Sequence, residues 1–565
     1  MCNFTNNSEN STARKGLYRV WVSLHDDGRP PLSAIWIDPT MAAFEREQLH
    51  DDIRLSGVSD SLIVDEIEDP LRRVAVAPGS RVLPILLVLL VCGASPRFAV
   101  AQTSPPAQAP QDTQAGQQTG PAPSTEAPPD SDSADAGALT VFPHSESSRY
   151  WISGQANIVF QWHPSFPAKY SGPNSLTPSA QSATTHILTL YTGYELSHTT
   201  EVFADVEYAS GGGIGTAVGL AGVTDLDSVR TVQGIPLATT PYLARLMIRQ
   251  IIPLTDERVE ADRDPLDLAR SIPARRIEFR AGKFDLADFF DTNTYGSDSH
   301  LQFLNWTVDN GGAWDYAANT RGYTDGVLLE YDDHWFTARF AEALMPKVAN
   351  GINLDADIAR ARAENLEFDA QGSLIAHRVG TVRLLGYLNH GNMGNYREAI
   401  DEYRAGSRVS PPDIIDTRRQ GRHKYGVGLN FEQEITSQVG VFGRLGWSDG
   451  HNESFAYTED DRTLELGSFT KGSWWHRRND RAGMAFVAKG IVAAHQQYLA
   501  LGGLGFLLGD GGLTYGPEKI LEGFYTAHLW RGFFASFDLQ HINNPGYNQV
   551  RGPVTVTGLR FHADF

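Results

Sequence analysis

The chain ends in "GLRFHADF" (residues 558–565), and this stretch alternates strictly. Leu559, Phe561, Ala563 and Phe565 fall on one face of an extended strand, because side chains change sides with period two. Arg560, His562 and Asp564 fall on the other. In a soluble sheet one such face meets a core and the other meets water. A chain that stops on a bare aromatic suits another arrangement, a strand that crosses a membrane and leaves its ring at the boundary.

The same texture runs back to about Tyr150. "WISGQANIVFQW" sets Ile152, Ala156, Ile158, Phe160 and Trp162 against Gln155, Asn157 and Gln161. "TEVFADVEYAS" sets Val202, Ala204, Val206 and Tyr208 against Glu201, Asp205 and Glu207. "YGVGLNFE" and "GFFASFDLQ" repeat the scheme. Many such segments, frequent Gly and little helical periodicity predict an all-β fold.

Connection lengths decide between a sandwich and a closed antiparallel transmembrane β-barrel. Short turns are expected at 332–333, 435–438 and 530–532. Long excursions are expected near 209–240, 285–320, 344–378, 388–422, 448–480 and 542–553. Counting back from Phe565, long and short connections fall on opposite ends, as in barrels with short periplasmic turns and long external loops. Charges also sit at successive positions of one strand face: Arg245 and Arg249, then Arg276, Glu278 and Arg280. Such a face suits a water-filled lumen with the apolar face toward lipid. Trp162, Tyr208, Tyr331, Trp447 and Trp530 lie near strand ends, where interfacial girdles belong.

Upstream, Arg72, Arg73 and Arg81 precede the apolar run "VLPILLVLLVCGA", and Ala99-Val100-Ala101 follows. Basic flank, short apolar core and small-x-small end mark residues 71–101 as a secretory signal peptide; the run is too short for a membrane-spanning helix. Residues 1–70 then read as an extension from a start site placed too far upstream, with no assigned function. Residues 102–140 are rich in Pro, Ala and Gln and nearly free of large apolar groups, the composition of a disordered linker. That leaves 141–565 for the barrel. The only cysteines, Cys2 and Cys92, precede the cleavage site, so no disulfide is expected in the mature chain. A net charge of −20 argues against nucleic acid as a partner.

Two long stretches carry a family resemblance. "GKFDLADFFDTNTYGSDSHLQFLNWTVDNGGAWDYAANTRGYTDGVLLEY" (282–331) and "HQQYLALGGLGFLLGDGGLTYGPEKILEGFY" (495–525) resemble the carbohydrate-selective outer-membrane porins known as OprB. The likeness spreads over about 151–565. It implies a sixteen-strand barrel in the bacterial outer membrane that passes mono- and small oligosaccharides by diffusion. It also implies a lumen narrowed by inward-folded loops and lined with charged residues. The long Pro-rich linker departs from the family.

Passive sugar passage needs a constriction, groups that exchange hydrogen bonds with hydroxyls, and faces on which a sugar ring can stack. The pore-lining candidates are Arg245, Arg249, Arg276, Arg280, Glu201, Asp205, Glu207 and Glu278; a plain ladder of lumen ion pairs is the competing reading. For the constriction loop the candidates are Asp285, Asp288, Trp306, Trp314 and Arg321, with the two tryptophans either stacking sugars or packing the loop on the wall. The alternatives are a general or charge-biased porin and, further off, a barrel enzyme acting on lipid or glycan. No G-x-S-x-G or H-E-x-x-H motif occurs. No cofactor or metal is expected; Asp355 and Asp357 form no specific calcium pattern. Expected partners beyond the permeant are outer-membrane lipid and the assembly machinery, which would read the strand ending at Phe565. A homotrimer and a monomer both fit the sequence.

Overall fold

The computed structural model describes residues 139–565 apart from 146, 230–236, 238, 376–377, 407–409 and 456–457, together with the backbone of three short strands near the start of the chain. Those strands, Asn3–Phe4, Tyr18–Val22 and Ser33–Ile37, pair antiparallel within a first unit, Met1–Ala99. The second unit, Val100–Phe565, contains everything that follows. The expected signal peptide, and the expected linker up to residue 138, lie outside the described residues.

Sixteen strands close into one barrel. The first five are β1 (Tyr150–His163), β2 (Gln181–Ser197), β3 (Thr200–Ser210), β4 (Tyr242–Pro253) and β5 (Arg276–Phe284). Next come β6 (Thr324–Asp333), β7 (Phe336–Leu344), β8 (Arg362–Ile375), β9 (Arg378–Met393) and β10 (Arg419–Glu434). The last six are β11 (Val439–Ser448), β12 (Arg462–Lys471), β13 (Arg481–Gly490), β14 (Glu518–Trp530), β15 (Phe533–Asn543) and β16 (Val554–Asp564). Each pairs antiparallel with its neighbours, and β16 returns to β1 with Thr557 opposite Trp162 and Asp564 opposite Gln155. Closure leaves no free edge, so the backbone groups of every strand are satisfied within the wall, as a hydrocarbon surround demands. No helix among the described residues is long and apolar enough to cross a membrane.

The alternation read from sequence sorts the side chains as expected. On β1, Ile152, Ile158, Phe160 and Trp162 are exposed on the outer face while Gln155, Asn157 and Gln161 are buried inside. On β16, Leu559 and Phe561 point out and Arg560 and His562 point in. The seam explains the terminal aromatic. Phe565 donates its N–H to the Gly154 carbonyl at 2.9 Å, and its ring lies over Gly154 on the outer face. A Cβ at Gly154 would sit 2.6 Å from Phe565 Cε2, so only glycine lets the ring cover the joint.

Connections at one end are tight: 198–199, 334–335, 435–438 and 531–532. At the other they are long: 164–180, 211–241, 285–323, 345–361, 394–418, 449–461, 491–517 and 544–553. Two expected excursions each hide a strand, β8 within 344–378 and β12 within 448–480. The outward face of β8 begins with Arg362 and Glu364, and β12 interrupts its pattern with Gly467 and Ser468, so neither shows clean alternation. Asp332 and Asp333 close β6, and the turn itself falls two residues later, at 334–335. The tight end has two larger connections. Residues 472–480 form one, and 254–275 form an insert with its own small sheet of Arg258–Glu260 on Ser271–Pro273.

The core lies inside the barrel, where long loops fold onto the wall. It joins Phe284, Phe290, Trp306, Trp314, Tyr316 and Leu328 to loop residues such as Phe455, Leu499 and Leu508. Among the described residues three α-helices sit in these loops: α1 (Trp306–Asp309), α2 (Tyr396–Arg404) and α3 (Ala493–Ala500). Asn395 starts α2 by accepting from the Glu398 N–H at 3.1 Å. His495 of α3 stacks on Tyr396 of α2 with centroids 4.0 Å apart.

Candidate functional site

The charged residues singled out in the sequence gather on the inner wall of β3, β4 and β5. Register places Glu201 opposite Arg249 and Asp205 opposite Arg245, so acid faces base between β3 and β4, whereas Arg249 faces Arg280 between β4 and β5 and the two share an acid of β5, Glu278. Glu278 is the hub. Its carboxylate accepts from Arg249 Nε and Nη2, both at 2.7 Å, from Arg276 Nε at 2.5 Å and from Arg280 Nη2 at 2.9 Å. Arg249 also reaches Glu201 at 2.9 Å. Arg276 pairs with Asp332 at 2.9 Å and Arg339 with Glu330 at 2.6 Å. Glu278, Glu330 and Asp332 lie close enough together to share a cation, but each is already matched to a guanidinium.

Loop 285–323 folds into the barrel and faces this wall. Asp288 takes Arg245 in a two-bond clamp, Nε to Oδ2 at 2.8 Å and Nη2 to Oδ1 at 2.6 Å, which fixes loop to wall. Asp285 caps the short turn Leu286–Asp288 by accepting from the Ala287 N–H at 3.0 Å. On the far side the loop is held by wall polar groups. Glu367 accepts from the Asp291 N–H at 2.8 Å, and Glu522 accepts from the Leu304 N–H at 2.6 Å. Arg444 pairs with Asp291 at 3.1 Å, and Arg560 donates to the Gln302 carbonyl at 2.7 Å. Trp306 and Trp314 are 8% and 4% exposed within the core, and Trp314 Nε1 donates to Asn365 Oδ1 at 2.9 Å.

Between wall and loop runs a strip of half-buried side chains: Tyr242, Lys283, Asp288, Phe289 and Arg321. Cations and ring faces alternate along it. Arg321 lies 3.6 Å over the Tyr242 ring, Arg245 and Lys283 lie 5.5 and 5.9 Å from the Tyr323 centroid, and Arg280 lies 4.9 Å over Phe289. The hydroxyls of Tyr242 and Tyr323 both donate to Glu207. Fixed donors, fixed acceptors and oriented rings are what a polyol needs in order to trade its hydration shell for transient contacts.

The structure thus brings together all eight wall residues with Asp288 and Arg321, and places Asp285, Trp306 and Trp314 in the scaffold of the loop. Sequence reasoning passed over Tyr242, Tyr323, Lys283 and Phe289. Tyr242 and Lys283 fall on the opposite parity to the inward charges of their strands, and a register shift interrupts the pairing of β4 with β3 between Arg245 and Leu243, so alternation carried no signal for them; Tyr323 and Phe289 belong to the loop, where parity says nothing.

Residues 173–565 match the family model described as carbohydrate-selective porin, OprB family. No curated protein sequence matches the chain. Among solved structures, Pseudomonas putida OprB at high pH is similar with a TM-score of 0.54 and 15% identity, over 74% of this chain and 94% of that one. The outer membrane channel DcaP of Acinetobacter baumannii is similar with a TM-score of 0.42 and 9% identity, over 76% of this chain and 100% of that one. The family match runs through wall and inward loop alike, so this chain belongs to the carbohydrate-selective porins of the OprB family.

Proposed function

We propose that small sugars cross the constriction between the β3–β5 wall and loop 285–323, and that Arg245, Arg249, Arg276, Arg280, Glu201, Asp205, Glu207 and Glu278 set the field they meet. The protein is a passive carbohydrate channel of the bacterial outer membrane, as its family is. One observation carries the finer reading: beside the Arg245–Asp288 clamp the half-buried Tyr242 ring lies under Arg321, with Arg245 over the buried Tyr323 ring behind it. A pyranose presents an apolar ring face and a rim of hydroxyls, and this strip offers a partner for each. The deeply buried members, Glu278 above all, act by holding the arginines in place, while Tyr242, Lys283 and Arg321 meet the permeant. In this reading the outer apolar face meets lipid, and the strand ending at Phe565 is the element recognised by the assembly machinery.

Swelling of liposomes that contain the purified protein tests the proposal. Glucose should enter faster than a charged solute of similar size, and Tyr242→Ala should slow glucose. Equal rates for the two solutes would refute sugar selectivity.

A further inference from the structure

The insert 254–275 leaves the tight-turn end of the barrel, yet its tip reaches up into the lumen. Leu266 and Leu268 join the core beside Phe203 and Met247, and Leu268 lies against Gly193 of β2. Asp264 shapes the tip by accepting from the Leu266 and Asp267 N–H groups at 2.7 and 2.8 Å. Arg280 donates to the Leu266 carbonyl at 3.2 Å. Arg263, next to the tip, donates to the carbonyls of Ser145 and Ser148, just ahead of β1, at 2.6 and 3.0 Å. The outcome is that the Asp267 carboxylate is delivered to Arg249, and to Arg280 at 3.2 Å.

Charge and exposure set Asp267 apart. Arg249 and Arg280 are already matched on the wall by Glu201 and Glu278. Asp267 is therefore a surplus negative charge at this level. Its side chain is 35% exposed, against 5% or less for the four wall residues, so it is the member of the cluster that faces solvent.

We propose that Asp267 is a selectivity residue, presented from the periplasmic side, that keeps anionic solutes out of the constriction while leaving uncharged sugars free to pass. This rests on the reading that the β3–β5 wall lines the permeation path. A fixed charge beside a narrow aqueous path repels like charge and is indifferent to a neutral polyol. At roughly 6 Å through water, one charge changes the partition of a monovalent ion about threefold, and more where the wall excludes water.

The test is the reversal potential of single channels in a potassium chloride gradient, which needs no sugar. Asp267→Asn should lower the potassium-to-chloride permeability ratio by about tenfold, roughly threefold on each ion, with glucose swelling rates within about twofold of the parent. Asp267→Cys gives a second route after assembly, since the chain's other cysteines are Cys2 and Cys92. A thiol reagent carrying a sulfonate should restore the parent ratio, and one carrying an ammonium should lower it further. An unchanged ratio in the Asn variant and with both reagents overturns the proposal. So does a loss of glucose flux equal to the change in ion preference, which would make Asp267 a structural hook only. Absence of glucose flux in the parent would instead sink the sugar reading, and the ion ratio would still report on Asp267.

Discussion

Glu278→Gln removes the charge at the hub of the arginine cluster while keeping shape and one acceptor oxygen. Four N–H donors from three arginines converge on the two carboxylate oxygens, at 2.7, 2.7, 2.5 and 2.9 Å. A glutamine can accept two of them; its NH2 group must then face two guanidinium donors. Losing two charge-assisted bonds at about 1.5–3 kcal/mol each costs roughly 3–6 kcal/mol. Breaking a buried ion pair by removing one partner typically costs about 3–5 kcal/mol, an independent figure of the same size. The variant should therefore unfold from lipid vesicles at a clearly lower guanidinium concentration than the parent, and its channels should turn toward anions. Adding Arg249→Met removes one of the three competing cations. The double variant should then be less destabilised than the two single changes summed, a coupling read by the mutant cycle. Equal unfolding midpoints for parent and Glu278→Gln would refute the hub argument, whatever the conductance.

Other outcomes follow from named contacts. Deleting Phe565, or Gly154→Val, which strikes the same ring from the other side, should lower the fraction of protein showing heat-modifiable migration; unchanged migration in both would dismiss the seam. Trp314→Ala removes a 4%-exposed indole and its bond to Asn365, a loss of about 3–5 kcal/mol. Because the loss is confined to loop 285–323, open-channel noise should rise while barrel strands keep their hydrogen-exchange protection. Burial lowers the pKa of His495, in the long loop 491–517, to about 4, with Asp461 opposing the shift and Lys424 adding to it. The unfolded loop takes up this proton near pH 6.5 and the folded loop only near 4, so the stability it lends is complete above 6.5 and fades between 6.5 and 4. Exchange protection of α2 and α3 should drop across that window in the parent and stay level in His495→Gln.

The period-two signal made the wall legible wherever an apolar face ran the full height of a strand, as on β1, β3 and β16. It failed where outward positions rise beyond the apolar band, since Arg362 and Glu364 give β8 polar residues on both faces near its start. The inward arginines were readable because a charge at every second position has few other homes. Asp267 was not, for a polar stretch such as 254–275 looks like any surface loop until Leu266 and Leu268 find a core. Nor can a loop tryptophan declare itself: Trp306 and Trp314 carry the same side chain whether they greet a sugar or, as here, the wall.

The ties of loop 285–323 reach around the whole circumference, from Arg245 on β4 through Glu367 on β8 and Arg444 on β11 to Glu522 on β14 and Arg560 on β16. A hollow tube squeezed from the side flattens readily, whereas one with a strut fastened across its bore keeps a round section. Lateral pressure from a crowded or thinning bilayer is thus borne by the strut, and the aperture keeps its calibre while the surrounding lipid changes.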